Sequence, residues 1–310
     1  RLPPAIEARA QRDYEALLSE HDAPVNGGDI LRMAHGADAI LCSPAEKLEG
    51  DLIRALPASI KVIATFSVGY DHIDVPALHA RAIPLCNTPD VLSVATAEIA
   101  MMLILTAARR AGEAERLVRA GKWTGWAPTQ LIGTQVSGRR LGIFGMGRIG
   151  RELARMARGF GMEIHYHDIA RLPPNLEQGA IFHATDEAFL PICEVLALQA
   201  PGGAATHHWL NAARIARLPR GAILANAARG TLVDDEAVLA ALASGQIAAA
   251  GLDVYEGEPK LNPGYLAAEN AVLLPHLGSA TATTRDAMGF LALDGLDALL
   301  AGRTPANLVN

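Results

Sequence analysis

Short apolar runs alternate with helical patterns over the second and larger part of the chain. Seven runs predict buried strands, at residues 141–144, 163–167, 180–183, 194–198, 222–226, 249–254 and 271–274. Apolar residues spaced three or four positions apart predict helices between them, at residues 148–160, 187–191, 210–218 and 234–244. Alternation of this kind predicts a parallel sheet with helices on both of its faces.

Residues 1–90 follow the same alternation in shorter elements. Apolar runs at 37–42, 61–66 and 83–86 predict strands, and a weaker run at 14–18 is a further candidate. Helical patterns cover 5–13 and 45–56, and another helix begins near residue 30 with Asp29 as its expected N-cap. We therefore expect a small domain of strands and helices in this part of the chain.

Two long helical patterns fall outside these alternations. Residues 91–110 carry a single interior charge, Glu98, so the predicted helix is apolar nearly all round and should be buried between domains or subunits. A last helix is predicted from Ser279 to about residue 301, and it should pack back on the first domain. The predicted boundaries are therefore 1–90 with 280–310 for the first domain, and 91–279 for the second.

Three glycines directly follow the first strand of the larger domain. Gly145, Gly147 and Gly150 end the apolar run at 141–144 and precede a helical pattern. A strand, a glycine turn and a helix in this order form a dinucleotide-binding fingerprint. The first glycine permits a tight turn, the second lets the backbone approach a pyrophosphate, and the third lets helix and strand pack closely. The acid expected about 20 residues further on is Asp168.

Composition argues against several classes of protein. The chain has 310 residues, a net charge of −6 and no long basic run, so a nucleic-acid partner is not expected. No apolar run reaches the ~18 residues of a membrane span, and the chain opens without an apolar signal region, so we expect a cytoplasmic protein. Cys42, Cys86 and Cys193 lie far apart, which indicates buried thiols in a reducing compartment and no metal site.

Polar residues follow three successive strands of the predicted sheet. Arg229 comes after the strand at 222–226, Asp253 and Glu258 come at the end of the next strand, and His276 follows the last. The carboxyl ends of parallel strands lie at one edge of a sheet, so these side chains should face one cleft. Each alone also fits a structural role, as a surface ion pair, a loop acid or cap, or a core histidine. Together, beside a dinucleotide site, they favour a catalytic cleft.

The chain resembles the D-isomer-specific 2-hydroxyacid dehydrogenases from about residue 37 to residue 300. The blocks at the strand ends that carry the resemblance are 226–230, 251–259 and 274–278. The glycine turn at 145–150 resembles the cofactor loop of that family, and residues 67–74 resemble its substrate-carboxylate loop. Within the family, residues 121–128 and 165–168 are most similar to the glyoxylate/hydroxypyruvate reductases.

This resemblance implies an α/β fold of two Rossmann-like domains with doubly wound parallel sheets. A flavodoxin-like substrate-binding domain would occupy 1–90, completed by the C-terminal helix in 280–310, and an NAD(P)-binding domain would occupy 91–279. The implied activity is reduction of a small 2-keto acid, glyoxylate or hydroxypyruvate, to the D-2-hydroxy acid by hydride transfer from NADH. A homodimer is expected, with the helix from residue 91 and the tryptophan-bearing segment 119–138 at its interface.

The resemblance implies catalytic roles for three residues. His276 would be the acid/base that protonates the keto oxygen. Glu258 would hydrogen-bond His276 and favour its protonated form, and the planar fork of Arg229 would hold the carbonyl and carboxylate oxygens of the substrate. The other implied substrate-binding residues are Val68 and Gly69, through their backbone N–H groups, with Ser67 and Trp126. For Trp126 the alternatives are reaching the site of the neighbouring subunit and plain packing at the dimer interface.

The implied cofactor-binding positions are spread over the larger domain. They are Thr96, Gly145, Gly147, Arg148, Ile149, Gly150, Asp168, Arg171, Ala200, Pro201, Thr206, Ala227, Asp253, His276 and Gly278. Asp253 would bind the nicotinamide carboxamide, or else cap a loop, and Thr96 would lie near the cofactor or serve only as a helix-core hydroxyl. Asp168 would accept hydrogen bonds from the ribose 2′-OH and repel a 2′-phosphate, which favours NADH. Arg171, which follows closely, is the feature that would favour NADPH.

Residues 202–206 depart from the usual pattern of the family, which leaves the ribose contacts there undefined. His207 and His208 are adjacent, so we expect them to point in different directions as surface or capping residues. D-lactate, phenylpyruvate or 3-phosphoglycerate are alternative substrates within the family, and a non-catalytic NAD(H)-sensing protein of the corepressor kind is the alternative outside enzymes.

Overall fold

The computed structural model describes all residues from Arg1 to Asn310, which fold as two compact units, Arg1–Leu92 with Ser279–Asn310, and Ser93–Gly278. The strands are β1 (Ala39–Cys42), β2 (Val62–Thr65), β3 (Leu85–Cys86), β4 (Arg140–Phe144), β5 (Glu163–His167), β6 (Ile181–Phe182), β7 (Val195–Leu198), β8 (Ala222–Asn226), β9 (Ile247–Leu252) and β10 (Ala271–Leu273). The helices are α1 (Pro4–Asp13), α2 (Gly27–Met33), α3 (Gly50–Ala55), α4 (Val75–Ala80), α5 (Ser93–Ala108), α6 (Ala111–Arg119), α7 (Arg148–Arg158), α8 (Pro174–Glu177), α9 (Asp186–Phe189), α10 (Ala212–Ile215), α11 (Asp235–Ser244), α12 (Gly264–Ala267) and α13 (Ala282–Leu300). None of these helices combines the length and the apolar character needed to cross a lipid bilayer.

The larger unit is built on a seven-stranded sheet in which every neighbouring pair is parallel. Its strand order is β10-β9-β8-β7-β4-β5-β6. The strand order reverses at β4: β5 and β6 follow on one side of it, and β7 to β10 follow on the other. Ligands of such sheets bind beyond the carboxyl ends of the strands, where this order reverses. The doubly wound parallel sheet predicted from the sequence is confirmed, and the glycine turn after β4 lies at the reversal point.

The central strands of this sheet are buried along their whole length, which explains why they read as continuous apolar runs. Every residue of β7 and β8 is buried. Successive side chains alternate between two cores, as the pleat of a strand requires. Ala197 and Ala225 face the core that includes α5 and α7, whereas Leu196 and Leu224 face the core that includes α11. Both faces of the sheet are thus covered.

Helix α5 packs directly on the sheet through a glycine in β9. A Cβ atom on Gly251 would lie 2.8 Å from the Cβ atom of Leu103, so only glycine allows helix and strand to approach this closely. The helix is buried over most of its turns, as its nearly uncharged pattern predicts. Val94 and Met102, 47% and 39% exposed, leave one side of the helix open in the single chain.

The smaller unit has a parallel sheet in the order β1-β2-β3, packed against α13. Helices α1 and α13 touch through Gly289, where a Cβ atom would lie 2.4 Å from Ile6. The last residues of the chain return to β3. The amide of Val309 donates to the carbonyl of Leu85 at 2.8 Å, and the amide of Leu85 donates to the side-chain oxygen of Asn310 at 2.6 Å. Both the first and the last parts of the chain therefore build this unit.

The strand predicted at residues 14–18 is absent. Tyr14 instead directs its hydroxyl to the carboxylate of Asp297 on α13. Leu17 is 68% exposed, and no strand lies alongside the segment. An apolar–polar alternation forms a strand only where a neighbouring strand supplies hydrogen-bond partners, and this segment has none.

Two helix boundaries in the smaller unit also differ from the predictions. Helix α2 is capped by Asn26, whose side-chain oxygen accepts the amide of Asp29 at 3.1 Å, so Asp29 lies inside the helix instead of capping it. The helix expected over 45–56 is reduced to α3. Leu48 instead pairs with Ile73 in an isolated parallel bridge, which holds the preceding residues out of the helix.

Candidate active site

The three glycines after β4 each meet a different spatial requirement. Gly145 has φ +96°, in the left-handed region, and a Cβ atom there would lie 2.5 Å from the backbone nitrogen of Ala200. A Cβ atom on Gly150 would lie 2.3 Å from the carbonyl oxygen of Gly145. A Cβ atom on Gly147 would meet nothing within 4 Å, so space is open beside the first turn of α7. A tight turn, close helix packing and an open approach to a helix N-terminus fit a dinucleotide pyrophosphate.

Asp168 lies beside this glycine turn, just after β5. One of its carboxylate oxygens accepts the amide of Met146 at 2.7 Å, and the other accepts the amide of Ile169 at 2.7 Å. A carboxylate offers about four acceptor positions, so two remain for a ribose hydroxyl. The sequence predicted the acid at this place, but it did not predict its contact with the glycine turn.

Arg171 is engaged in an ion pair within the protein. Its guanidinium donates to both carboxylate oxygens of Glu177 at 3.0 Å each, and Glu177 also accepts the hydroxyl of Tyr166 at 2.8 Å. The hydrogen bond from Arg171 is the main cause of a lowered pKa of Glu177. The predicted cofactor contact of Arg171 would therefore compete with a bidentate pair already formed.

His276 and Glu258 form the centre of the candidate site. The Nδ1 atom of His276 lies 2.8 Å from a carboxylate oxygen of Glu258, whose other oxygen accepts the amide of Tyr255 at 2.9 Å. Burial alone would raise the pKa of Glu258, but the interaction with His276 outweighs it and lowers that pKa, helped by the Tyr255 amide and, least, by the positive charge of Arg229. A charged carboxylate thus orients the imidazole, and the positive charge of Arg229 acts on the same carboxylate.

The backbone that carries His276 is held by Asp253. His276 has φ +56°, which is costly for a residue with a side chain, and its amide donates to the carbonyl of Asp253 at 2.9 Å. The Asp253 carboxylate is fully buried and accepts the amides of Leu277 and Gly278 at 2.7 and 2.8 Å. Burial raises the pKa of Asp253. The structure thus shows the loop-capping role that the sequence left as the alternative to binding nicotinamide.

Thr96, at the start of α5, holds the same loop from the other side. Its hydroxyl donates to the carbonyl of Gly278 at 3.1 Å. A Cβ atom on Gly278 would lie 3.3 Å from the Thr96 methyl group and 3.6 Å from the Asp253 carboxylate. Gly278 is therefore packed between the two side chains, and the loop that presents His276 has little room to move.

Arg229 is positioned by a residue that the sequence analysis did not single out. Asn226 ends β8, is fully buried, and donates its side-chain amide to the carbonyl of Arg229 at 2.8 Å while accepting the amide of Ala228 at 3.1 Å. An asparagine that ends an otherwise apolar strand was the available signal, because a buried amide needs partners. Gly230 follows, and its Cβ position lies 1.8 Å from the carbonyl carbon of Tyr255. The Arg229 loop and the Glu258 loop therefore touch backbone to backbone.

The loop after β2, in the smaller unit, is fixed by side chains. The hydroxyl of Ser67 donates to the carbonyl of Gly69 at 2.6 Å, and the side chain of Asn87 donates to the carbonyl of Val68 at 2.8 Å. The Val68 carbonyl and the Gly69 N–H belong to one planar peptide and point in opposite directions. Asn87, which the sequence analysis missed, therefore sets the direction of the predicted carboxylate-binding N–H of Gly69.

The other predicted site residues lie at several places. Trp126 is 81% exposed, in a segment without regular structure. Thr206 donates its hydroxyl to the carbonyl of Pro201 at 2.8 Å, so it closes the turn after β7. The remaining predicted positions, in the glycine turn and at the ends of β7 and β8, are Arg148, Ile149, Ala200 and Ala227.

The expectation that His207 and His208 point in different directions is wrong. Their rings stack with centroids 3.9 Å apart, and their Nε2 atoms lie 3.2 and 2.7 Å from the two carboxylate oxygens of Glu256. His208 has φ +48°, and this left-handed turn rotates its side chain to the same side as that of His207. Adjacent side chains diverge in a strand or helix but not across such a turn.

Comparison with known proteins gives matches over essentially the whole chain. The family model for the NAD binding domain of D-isomer specific 2-hydroxyacid dehydrogenases matches residues 101–278. A glycerate dehydrogenase from Hyphomicrobium methylovorum is 43% identical over 303 residues, which are 97% of this chain and 94% of that protein. A glyoxylate reductase from Thermococcus onnurineus (strain NA1) is 39% identical over 302 residues, which are 96% and 90% of the two chains.

A solved structure is also similar to this chain over its whole length. The crystal structure of a D-isomer specific 2-hydroxyacid dehydrogenase from Polaromonas sp. JS6 66 is 47% identical, with a TM-score of 0.95 over 100% of this chain and 97% of that one. These matches span both units, and they include the glycine turn and the three strand ends that form the candidate site. The chain therefore belongs to the D-isomer-specific 2-hydroxyacid dehydrogenase family, as the signature blocks predicted, and is an NAD(P)-dependent oxidoreductase.

Proposed function

We propose that this enzyme reduces glyoxylate or hydroxypyruvate to the D-2-hydroxy acid with NADH. The observation that carries the proposal is the His276–Glu258 pair, 2.8 Å apart, at the carboxyl edge of the larger sheet, where Arg229 also follows a strand end. An acid, its orienting carboxylate and a carboxylate-binding guanidinium are the groups that reduction of a 2-keto acid requires. When bound, the nicotinamide cofactor supplies the hydride.

His276 would deliver the proton to the keto oxygen. Its Nδ1 atom is hydrogen-bonded to Glu258, so Nε2 is the nitrogen that faces away from the carboxylate and can carry the transferred proton. Glu258 stabilises the positive charge of the imidazolium before transfer and keeps the ring in one orientation. General acid catalysis of this kind contributes typically ~10²–10⁴-fold to the rate.

Arg229 would bind and polarise the substrate. Its planar guanidinium can donate two parallel hydrogen bonds to the carboxylate and keto oxygens of a 2-keto acid. Asn226 and Gly230 fix its backbone on either side, and its Nη1 atom donates to the carbonyl of Ala228 at 2.7 Å, so the fork is held before the substrate arrives. A pre-positioned fork saves the entropy of ordering a long side chain at binding.

The proposed substrates are supported by the names of two relatives, which both refer to small acids. Reduction of hydroxypyruvate gives glycerate, so the names of the relatives, glycerate dehydrogenase and glyoxylate reductase, both refer to short, unbranched acids. D-lactate, phenylpyruvate and 3-phosphoglycerate remain the alternatives. The test measures the reduction of glyoxylate, hydroxypyruvate, pyruvate, phenylpyruvate and the keto acid that corresponds to 3-phosphoglycerate. Each reaction is followed by the absorbance of the reduced cofactor. Fast turnover confined to glyoxylate and hydroxypyruvate supports the proposal, and faster turnover of phenylpyruvate or pyruvate contradicts it. Cofactor binding without any turnover would indicate the non-catalytic sensor.

The preference for NADH is supported by two carboxylates. Asp168 keeps acceptor positions next to the glycine turn, where a 2′-phosphate would meet its negative charge. Arg171, the cation that could receive that phosphate, is paired with Glu177. Parallel titrations with NADH and NADPH test the preference, and a larger kcat/KM with NADPH would overturn it.

A homodimer is supported by apolar side chains left exposed on the larger unit. Met102 on α5 and Phe160 after α7 are 39% and 38% exposed and line one shallow apolar surface with Leu105 and Met156. Trp126 is a further exposed aromatic side chain, and in a dimer it would be covered or would reach the partner's site. Light scattering of the intact protein measures the mass in solution. Met102→Glu should produce monomers, and a wild-type mass of one chain would refute the dimer.

A cytoplasmic location is supported by the cysteines. Cys42, Cys86 and Cys193 are all free and buried, and burial raises the pKa of the Cys42 thiol to about 12. Thiols that are buried and unpaired fit a reducing compartment. Cell fractionation with an antibody against the protein tests this location.

A further inference from the structure

The structure assigns a second binding site to the larger unit, a divalent transition-metal site formed by His207, His208 and Glu256. The ligand atoms of these three residues all lie within 4.8 Å of one another. Two imidazole nitrogens and one carboxylate oxygen are a ligand set that suits Zn²⁺, and also Ni²⁺ or Co²⁺. The site is separate from the His276–Glu258 pair and takes no part in the proposed hydride transfer.

The geometry of the two histidines brings both donors to one point. Their Nε2 atoms lie 3.2 and 2.7 Å from different oxygens of the same carboxylate, so Glu256 now occupies the place between them. The rings are stacked, with centroids 3.9 Å apart and planes inclined by 23°. An ion that replaced the two N–H protons would need only small rotations of these side chains to meet three protein ligands. The remaining coordination positions would be filled by water, as in sites that bind zinc through three residues.

The backbone that carries these ligands is held in place. The amide of His208 donates to the carbonyl of Thr231 at 2.7 Å, and the φ of +48° at His208 aligns the two imidazoles. On the other side, a Cβ atom on Gly230 would lie 2.1 Å from the backbone nitrogen of Glu256, so these two backbone segments are in direct contact. Both ligand loops therefore rest on one short segment, Gly230–Leu232. Fixed ligands bind an ion without first ordering two loops, which favours affinity.

The site is open to solvent, so an ion can enter. The side chains of His207, His208 and Glu256 are 52%, 37% and 36% exposed. An ion bound here would tie the loop after β7 to the loop that carries Glu258, two residues beyond Glu256.

Metal titration of the intact protein, without an affinity tag, tests the assignment. After dialysis against a chelator, Co²⁺ is added and its visible absorption is followed, and Zn²⁺ is then added to displace it. We expect each wild-type chain to bind one Co²⁺ ion tightly. His207→Ala and Glu256→Gln should each weaken binding by roughly tenfold or more, since even supporting residues of metal sites cost about that much. His35→Ala, which removes an exposed histidine of the other unit, should bind as the wild type does.

Two results would overturn the assignment. One is the absence of saturable Co²⁺ or Zn²⁺ binding to the wild type. The other is binding that is equally strong in His207→Ala and Glu256→Gln, or equally weakened in His35→Ala, because the ion would then lie elsewhere. His207 is half exposed, so its replacement should leave the fold intact, and circular dichroism checks this for each variant. Glu256→Gln keeps the shape of the side chain and supplies the second, independent test.

Discussion

Replacing Gly230 by alanine would place a methyl group inside the backbone of the neighbouring loop. The new Cβ atom would lie 1.8 Å from the carbonyl carbon of Tyr255 and 2.1 Å from the amide nitrogen of Glu256. Carbon atoms in contact prefer about 3.5–4.0 Å, so the two loops would have to separate by roughly 2 Å. Neither obstacle is a flexible side-chain end, and the strain cannot be relieved by a rotamer change.

This separation would act on the proposed catalytic groups without removing any of them. Arg229 precedes Gly230, and Glu258 lies in the loop that would be displaced. A misplacement of about 1 Å costs on the order of 10²-fold in rate, so kcat/KM for the keto acid should fall by that factor, which equals ~2.7 kcal/mol. Overpacking should also lower the free energy of unfolding by about 1–3 kcal/mol. The affinity for NADH should change little, because the glycine turn after β4 lies on another strand.

Three measurements on purified Gly230→Ala test this reasoning: steady-state reduction of the keto acid, quenching of protein fluorescence by NADH, and urea denaturation. Gly28→Ala is the matched control, because the same methyl group added in α2 would approach only the Asn26 side chain, at 3.4 Å. That control should keep its activity. If Gly230→Ala kept more than about half of the wild-type kcat/KM, the close contact of the two loops would not be what positions the catalytic groups.

Three further predictions concern single side chains. His276→Ala should lower kcat by ~10²–10⁴-fold with an unchanged dissociation constant for NADH, and near-full activity would refute His276 as the acid. Asp168→Ala should shift the NADPH-to-NADH ratio of kcat/KM towards NADPH by roughly tenfold, because a charged hydrogen-bond acceptor is lost, and an unchanged ratio would contradict this role. Glu177 has a pKa below its ordinary value when folded, so its contribution to stability is complete above pH ~4.5 and is lost on acidification. Glu177→Gln should therefore be less stable at pH 7 and lose less stability between roughly pH 5 and 3 in urea titrations, whereas equal losses would contradict the pairing with Arg171.

The larger sheet could be predicted from sequence because its strands are buried on both faces. Each of its seven strands overlaps a predicted apolar run, and each run is followed by turn or helix signals. Residues 14–18 show the limit of such patterns. Whether a neighbouring strand exists depends on the fold as a whole, and a local alternation carries no information about it.

The chemistry at the strand ends was predictable for the same reason, since parallel strands end at one edge. The supporting contacts were not. Asp253 accepts amides from residues more than twenty positions away, and Asn87 fixes a peptide in the loop that follows β2 of the smaller unit. Such bonds depend on how the backbone turns. The left-handed conformations of His208 and His276 are the clearest cases, because nothing in residues of these types requires a positive φ.

The division of the smaller unit between the two parts of the chain has a consequence during protein synthesis. All seven strands of the larger sheet lie within Ser93–Gly278, so this sheet is complete in sequence before Ser279–Asn310 leaves the ribosome. Arg1–Leu92 is synthesised first, but the smaller unit cannot be completed until α13 and the partners of Leu85 are made, and these come last. Until then β2 and Ile6 expose the apolar surface that α13 later covers. Newly made N-terminal segments of this protein should therefore be the part that chaperones bind, and a stalled chain ending near residue 278 should hold one folded and one unfolded unit.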